Sequence, residues 1–266
     1  MTADIDIVPD VARVLDEQDA FRARAPSVLP RAVRSVTAPF GGLTNRLIPP
    51  DVIEAAIKGA DWVAAASIRD ATIAHDFASL EDCEAAAAGV RRWSLAYAVT
   101  GGGAAGAFGA AGLVFDIPAT MTLALRTARL MGLSYGFGAN TAAEQVYILD
   151  ILQLAGANST KERDSALQRL AEGRSAISRG DWQKMAEMSG QSAGSAVATQ
   201  RVALTLGANL STRKLAQVMP LVGAAVGAGV NAAFQNDVAE AARYAFRARW
   251  LEVNERILEG QGVHIS

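Results

Sequence analysis

The sequence predicts an all-α fold, a multi-helix bundle with closely packed Gly/Ala-rich helices. Three observations predict it. No run of β-branched and aromatic residues alternates over a useful length, so strand signals are nearly absent. Apolar residues recur instead at helical spacing, as Val52, Ala55, Ala56, Ala60 and Val63 do. Charge-free stretches of Gly, Ala and Ser run from Trp93 to Phe115, from Met188 to Gln200 and from Leu215 to Asn236. Small residues let helix backbones approach closely. With aromatics at 6% inside an apolar fraction of 51%, the expected core is thin, made of closely spaced helices rather than large side chains.

Residues 1–46 read as an N-terminal leader or arm, and residues 47–266 as one helical domain. The arm holds a short helix in PDVARVLDEQDAFRARA, with Pro9 near its start and Pro26 beyond its end. Pro30, Pro39, Gly41, Gly42, Pro49 and Pro50 then interrupt the chain. Arg22, Arg24, Arg31, Arg34 and Arg46 make this part basic, with no acid between Asp19 and Asp51. Such an arm can lie on an anionic surface, lipid included, or pack across the body as a solvated linker.

The domain begins with the helix PPDVIEAAIKGADWVAAASIRD. LEDCEAAAAGVRRWSLAYAV is Ala-rich and strongly helix-forming. Pro118 is expected to open IPATMTLALRTARLMGLSYGF, with Leu123, Leu130 and Leu133 on one face and Gly136 and Gly138 at its end. Asp116, just before, would then sit at a helix start, where the dipole favours a carboxylate. TAAEQVYILDILQLAG opens with Thr141 and carries Glu144 three residues later, the capping-box spacing. STKERDSALQRLAEGRSAISRG is a polar, surface-type helix. The last helix, DVAEAARYAFRARWLEVNERILEG, reads as amphipathic: Val238, Ala242, Ala245, Leu251 and Ile257 inward, Glu240, Arg243, Arg247, Glu255 and Arg256 outward.

Glycine marks the small-residue faces. Gly103, Gly106, Gly109 and Gly112 recur every three residues, and Gly190/Gly194 and Gly223/Gly227 form GxxxG pairs, the latter continued by Asn231. Each Gly costs about 1 kcal/mol against Ala in a helix, so tertiary contacts or lipid must hold these segments. The first and third stretches are long enough to cross a bilayer, yet none is rich enough in Leu, Ile and Val to be an unambiguous transmembrane helix. Pro118 and Pro220 beside them also suit a re-entrant or interfacial hairpin. Arg213 and Lys214 precede the third stretch, where they would meet lipid phosphates.

Composition excludes several classes. A net charge of −2 gives no global attraction to nucleic acid. Cys83 is the only cysteine, so no internal disulfide and no four-cysteine zinc site can form. The first ten residues carry Asp4, Asp6 and Asp10 and no Lys or Arg, the reverse of a secretory leader. The expected location is cytoplasmic. No cofactor and no metal is expected: His75, with Asp76 and Cys83 nearby, reads as a surface helix position.

Two catalytic patterns occur. Gly101, Gly103 and Gly106 satisfy G-x-G-x-x-G, but Asp116 follows too soon to leave room for the helix and second strand of a dinucleotide site. Gly190-Gln191-Ser192-Ala193-Gly194 satisfies G-x-S-x-G, with Asp237 and His264 following in hydrolase order. That reading needs a strand before Ser192, where WQKMAEM reads as helix.

Four segments together resemble the EcsC family of bacterial proteins. They are LIPPDVIEAAIKGADWV; FDIPATMTLALRTARLMGLSYGF, with Asp116, Pro118, Tyr135 and Gly136; TAAEQVYILDILQLAG, with Glu144; and KLAQVMPLVGAAVGAGVNAAFQNDVAEAARYAFRAR, with Lys214, Pro220, Gly223, Gly227, Asn231, Tyr244 and Arg247. The resemblance covers residues 47–260. What it implies is limited: the family takes its name from a protein encoded beside an ABC transporter, and it carries over no catalytic residues. Tyr135, Tyr244 and Asn231 either line a polar pocket or sit satisfied in the core.

The leading expectation is a non-catalytic, membrane-associated helical protein, peripheral to the inner face of the cell membrane. It would bind lipid or assist a transport or secretion complex. The alternatives are a soluble helical scaffold or regulator that binds a protein partner, and a serine hydrolase using Ser192, Asp237 and His264.

Overall fold

The computed structural model describes residues 8–25, residues 50–178 apart from 70, 72, 108, 139, 140 and 158, residues 199, 200 and 203, and residues 223–254. Among them it has seven helices and no strand: α1 (Val8–Ala23), α2 (Pro50–Ser67), α3 (Leu80–Ala107), α4 (Gly109–Ser134), α5 (Ala142–Gly156), α6 (Thr160–Ser178) and α7 (Gly223–Val253). The all-α expectation holds.

α7 is the axis of the bundle, touching α1, α3, α4, α5 and α6. Its neighbours explain its composition. Ala239, Ala241, Ala242, Ala245 and Ala248 are all buried, because a helix enclosed on several sides needs small residues on several faces. α3 runs antiparallel to α7: Arg91 Nε donates to Asn236 Oδ1 (3.0 Å), and Trp250 Nε1 donates to the Phe77 carbonyl (2.8 Å). α4 runs parallel to α7, with Gln235 Nε2 donating to the Thr120 carbonyl (3.2 Å). α5 lies on the far side, where the buried Tyr147 hydroxyl donates to the Ala245 carbonyl (3.0 Å).

The core mixes alanine with a few large rings. Tyr135, Tyr147, Phe234 and Phe246 are fully buried. Phe246 is boxed by Phe137, stacked at 6.2 Å, and by Tyr147, edge-on at 5.7 Å. Gly132 of α4 faces the Phe246 ring so closely that a Cβ there would stand 2.9 Å from Cζ.

Local chemistry sets several ends where the sequence placed them. Gly136 (φ +79°) closes α4, with Gly136 N–H donating to Leu133 O and Phe137 N–H to Gly132 O. This paired, left-handed ending favours glycine. Thr141 and Glu144 form the capping box of α5. Ser79, which the sequence reading passed over, caps α3 by accepting from Asp82 N–H.

Three expectations are corrected. The stretch from Trp93 to Phe115 is not one helix but the end of α3 and the start of α4, so the every-third-residue glycines fall on two helices. In line with the scarcity of Leu, Ile and Val in these stretches, no described helix is long and apolar enough to cross a membrane. α4 begins at Gly109, so Pro118 lies inside it, exposed, and Asp116 is not at a helix N-terminus. The solvent side of a helix tolerates the lost amide donor best. His75 sits in the turn between α2 and α3 rather than on a helix, its Nε2 3.0 Å from the Ser134 carbonyl.

Candidate functional site

Arg243 and Arg247, which the sequence pattern puts on a solvent face of the last helix, meet instead in an ion cluster around Glu84, while Glu255 and Arg256 of that face lie outside the described residues. Arg247 on α7 is nearly inaccessible, its side chain 3% exposed. The reason is α1. Val11, Val14 and Gln18 are buried and Phe21 is half-buried along one stripe of α1, at helical spacing. That stripe docks on α7: Gln18 Nε2 donates to the Tyr244 carbonyl (3.1 Å), Arg22 Nε to the Tyr244 hydroxyl (2.8 Å), and the Phe21 and Tyr244 rings stack at 4.5 Å. Arg163 of α6 clamps the end of α1, donating to the Phe21 carbonyl (2.5 Å) with its guanidinium 4.5 Å from the Phe21 ring.

Glu84 of α3 is the acceptor at the centre. Arg247 grips it bidentately, Nε to Oε1 at 2.6 Å and Nη2 to Oε2 at 2.8 Å. Arg243 Nε donates to Oε2 (2.7 Å) and the Tyr135 hydroxyl to Oε1 (2.5 Å). Burial alone would push the Glu84 carboxyl up; the hydrogen bonds and charges of Arg247, Tyr135 and Arg243 outweigh it and hold the pKa below the usual carboxylate value. Burial also pushes the Tyr135 hydroxyl up, as do the charge and hydrogen bond of Glu84, so it stays a donor. Desolvation works against the Arg247 charge, yet its bonds to Glu84 and Glu17 raise its pKa.

Glu17 of α1 makes the outer layer. Its Oε2 accepts from Arg247 Nη1 (2.9 Å) and Arg243 Nη2 (3.3 Å), and its Oε1 from Arg13 Nη1 (3.0 Å). Cavities of about 320 and 340 Å³ open beside α1, and Arg91, Arg243 and Arg247 line both. Arg91 also reaches Glu240 (3.3 Å), which pairs with Arg24 at the end of α1.

Of the residues expected to matter, the structure brings Tyr135, Tyr244 and Arg247 to this cleft, with Arg22 and Arg24 on its α1 side. Glu144 stands apart, capping α5 and reaching Arg249 (3.4 Å). Asn231 is buried near the start of α7. Asp237 of α7 lies in a small cavity with Arg163 and Arg24. Gly223 and Gly227 lie in the first turns of α7, and what packs on them falls outside the described residues. Arg31, Arg34, Ser192, Arg213, Lys214, Pro220 and His264 also lie outside them. The sequence reading missed Glu17, Glu84 and Arg91. Glu84 is one acid before the run AAAAG, and its main partner is 163 residues away, which no local pattern reports.

A second feature lies toward the other end of α3. Trp93 and Tyr97, one helical turn apart, are both exposed and pair at 5.2 Å between ring centroids. Arg126 of α4 lies over the Trp93 ring at 4.9 Å and donates to the Ser67 carbonyl of α2 (3.2 Å). The antiparallel run of α3 and the parallel run of α4 bring three charge-free helix ends to this side: Trp93–Ala107, the segment 109–115 and Gly223–Gln235.

Comparison with known proteins places the chain. The model of the EcsC protein family matches residues 13–251, so the chain belongs to that family. The match takes in α1 from Arg13 onward, upstream of the expected start at residue 47. No curated protein and no solved structure matches the chain.

Proposed function

We propose that this member of the EcsC family is a non-catalytic peripheral membrane protein of the cytoplasmic face. It would rest the charge-free end of the α3–α4–α7 bundle in the bilayer interface, to bind lipid or to assist a membrane transport or secretion complex. The observation that carries the reading is the exposed Trp93–Tyr97 pair with Arg126 against it, set at the base of three charge-free helix segments.

The physics supports a shallow contact. Trp and Tyr favour the membrane–water boundary, where an apolar ring and a polar edge are both satisfied. The half-buried Arg126 and the exposed Arg92 lie beside the pair, where they would meet lipid phosphates in such a seating. Gly and Ala gain little from hydrocarbon, and no described helix is long and apolar enough to cross, so interfacial seating suits the bundle end better than spanning.

The test is flotation of the purified full chain with vesicles of phosphatidylcholine doped with phosphatidylserine, beside fractionation of expressing cells with salt and carbonate washes. Wild type should float, and Trp93→Ser/Tyr97→Ser should lose roughly tenfold or more of the binding while still unfolding cooperatively, since Tyr97 is exposed and Trp93 is partly so. Flotation undiminished in the double variant, or full recovery in the supernatant without washing, refutes the reading and favours a soluble scaffold that binds a protein partner.

A further inference from the structure

We propose that the cleft lined by Arg91, Arg243 and Arg247 is a binding site for a phosphate-bearing anion, and that Glu17 of α1 is its internal competitor. The Glu17 carboxylate sits as a bound anion would. It receives one guanidinium from its own helix, Arg13, and two from α7, Arg243 and Arg247. Its side chain is 36% exposed where that of Arg247 is 3%, so it closes the mouth of the site rather than forming its floor. Glu84 forms the floor and engages the other donor edge of Arg247.

Space and charge agree with this assignment. The cavities on either side leave room around the carboxylate. Five arginines and four glutamates line the two together. With Glu17 set aside the excess of positive charge is two. Arginine forks match phosphate oxygens bidentately.

The class of ligand follows from the competition. A tethered carboxylate is present at a high effective concentration, in the millimolar range or above. A free monoanionic carboxylate offers the arginines nothing that Glu17 does not. A phosphate monoester, with a charge of about −1.5 to −2 and three strong acceptor oxygens, offers more to each donor. Such a group can arrive as free phosphate or on a lipid head, and the two sources share this chemistry.

The test is titration of the full chain with inorganic phosphate against chloride of matched ionic strength, followed by calorimetry and by melting temperature. Glu17→Gln should bind phosphate about tenfold more tightly than wild type, because it removes a charged competitor. Arg243→Gln should abolish the response. Arg91→Gln, at a partly exposed rim position that does not touch Glu84, should weaken it and keeps the test decisive if Arg243→Gln folds poorly. Vesicles then separate the sources. Glu17→Gln floating with phosphatidic acid in preference to phosphatidylserine, with inorganic phosphate competing, identifies a lipid head; a phosphate response without that preference identifies a soluble ligand. No phosphate response in wild type or Glu17→Gln, or an undiminished one in Arg91→Gln, overturns the proposal. The phosphate titration involves no membrane, so its failure is distinct from failure of the membrane reading.

Discussion

Glu84→Gln should be among the most damaging single changes at neutral pH, and its cost can be worked from the geometry. The carboxylate accepts from Arg247 twice, from Arg243 and from Tyr135. A glutamine keeps one acceptor oxygen and turns an NH₂ toward guanidinium donors. Arg247, 3% exposed, cannot turn to water; it is left with at most one bond to the glutamine oxygen and its bond to Glu17, with no carboxylate charge on the Glu84 side. Removing one partner of a buried pair costs about 3–5 kcal/mol, mostly through the charge left behind. In a chain of this size 1 kcal/mol moves the melting temperature by about 2–4 °C, so the fall should be roughly 6–20 °C. Acid titration gives a second readout. The Glu84 pKa is lower in the fold than in the unfolded chain. Its contribution is therefore complete above the ordinary glutamate value of about 4.3 and is lost as pH falls through the depressed one. Wild type should lose stability over that acid range, and Glu84→Gln should lack this component. Glu84→Leu combined with Arg247→Met and Tyr135→Phe, which leaves neither a buried charge nor a buried hydroxyl without its acceptor, should recover most of the loss. A neutral-pH cost for Glu84→Gln under about 1 kcal/mol would refute the account of a desolvated cluster.

Gly132→Ala should destabilise by about 1–3 kcal/mol, because its Cβ would meet Phe246 Cζ at 2.9 Å and Phe137 O at 3.0 Å while Phe246 is held by Tyr147 and Phe137. Gly89→Ala, in mid-α3 with nothing within 4 Å, should stabilise by about 0.5–1 kcal/mol, so equal signs in paired melts would contradict the packing described. Cys83 is buried, with its thiol pKa pushed up to about 11 by desolvation and by the neighbouring Glu84, Asp82 and Asp76. A thiol reagent should label the folded chain about a hundredfold more slowly than the unfolded one at mildly alkaline pH, and equal rates would show that Cys83 is accessible.

What was legible in the sequence was what a few consecutive residues decide. The capping box of α5 needs only Thr141 and Glu144, and the end of α4 only a glycine able to adopt positive φ, so both stood where the pattern put them. The break between α3 and α4 was not legible, since it falls inside a charge-free stretch that holds no proline. The cluster was illegible for another reason. Period-3.6 reasoning assigns charge to solvent, and Arg243 and Arg247 do lie on one face of α7. That face meets α1, whose own stripe is short and whose charges, Arg13 and Glu17, look equally solvated. Two polar faces complement one another here, and complementarity between segments more than two hundred residues apart leaves no local trace.

The proposed membrane contact and the proposed anion cleft share a helix but not a face. Arg91 and Trp93 are two residues apart on α3, which turns them about 200° from each other. Arg91 points to Asn236 and Glu240 of α7, and Trp93 to Arg126 of α4. Variants at Trp93 and Tyr97 therefore leave the cleft donors in place, and variants at Glu17 or Arg243 leave the aromatic pair in place. Changes with no shared partners should act additively, within about 0.5 kcal/mol. A triple variant carrying Glu17→Gln with Trp93→Ser and Tyr97→Ser should accordingly bind phosphate as tightly as Glu17→Gln alone while failing to float with phosphatidylserine vesicles. Should the aromatic changes weaken phosphate binding as well, α3 would be coupling the two faces, and the separation argued from its geometry would be wrong.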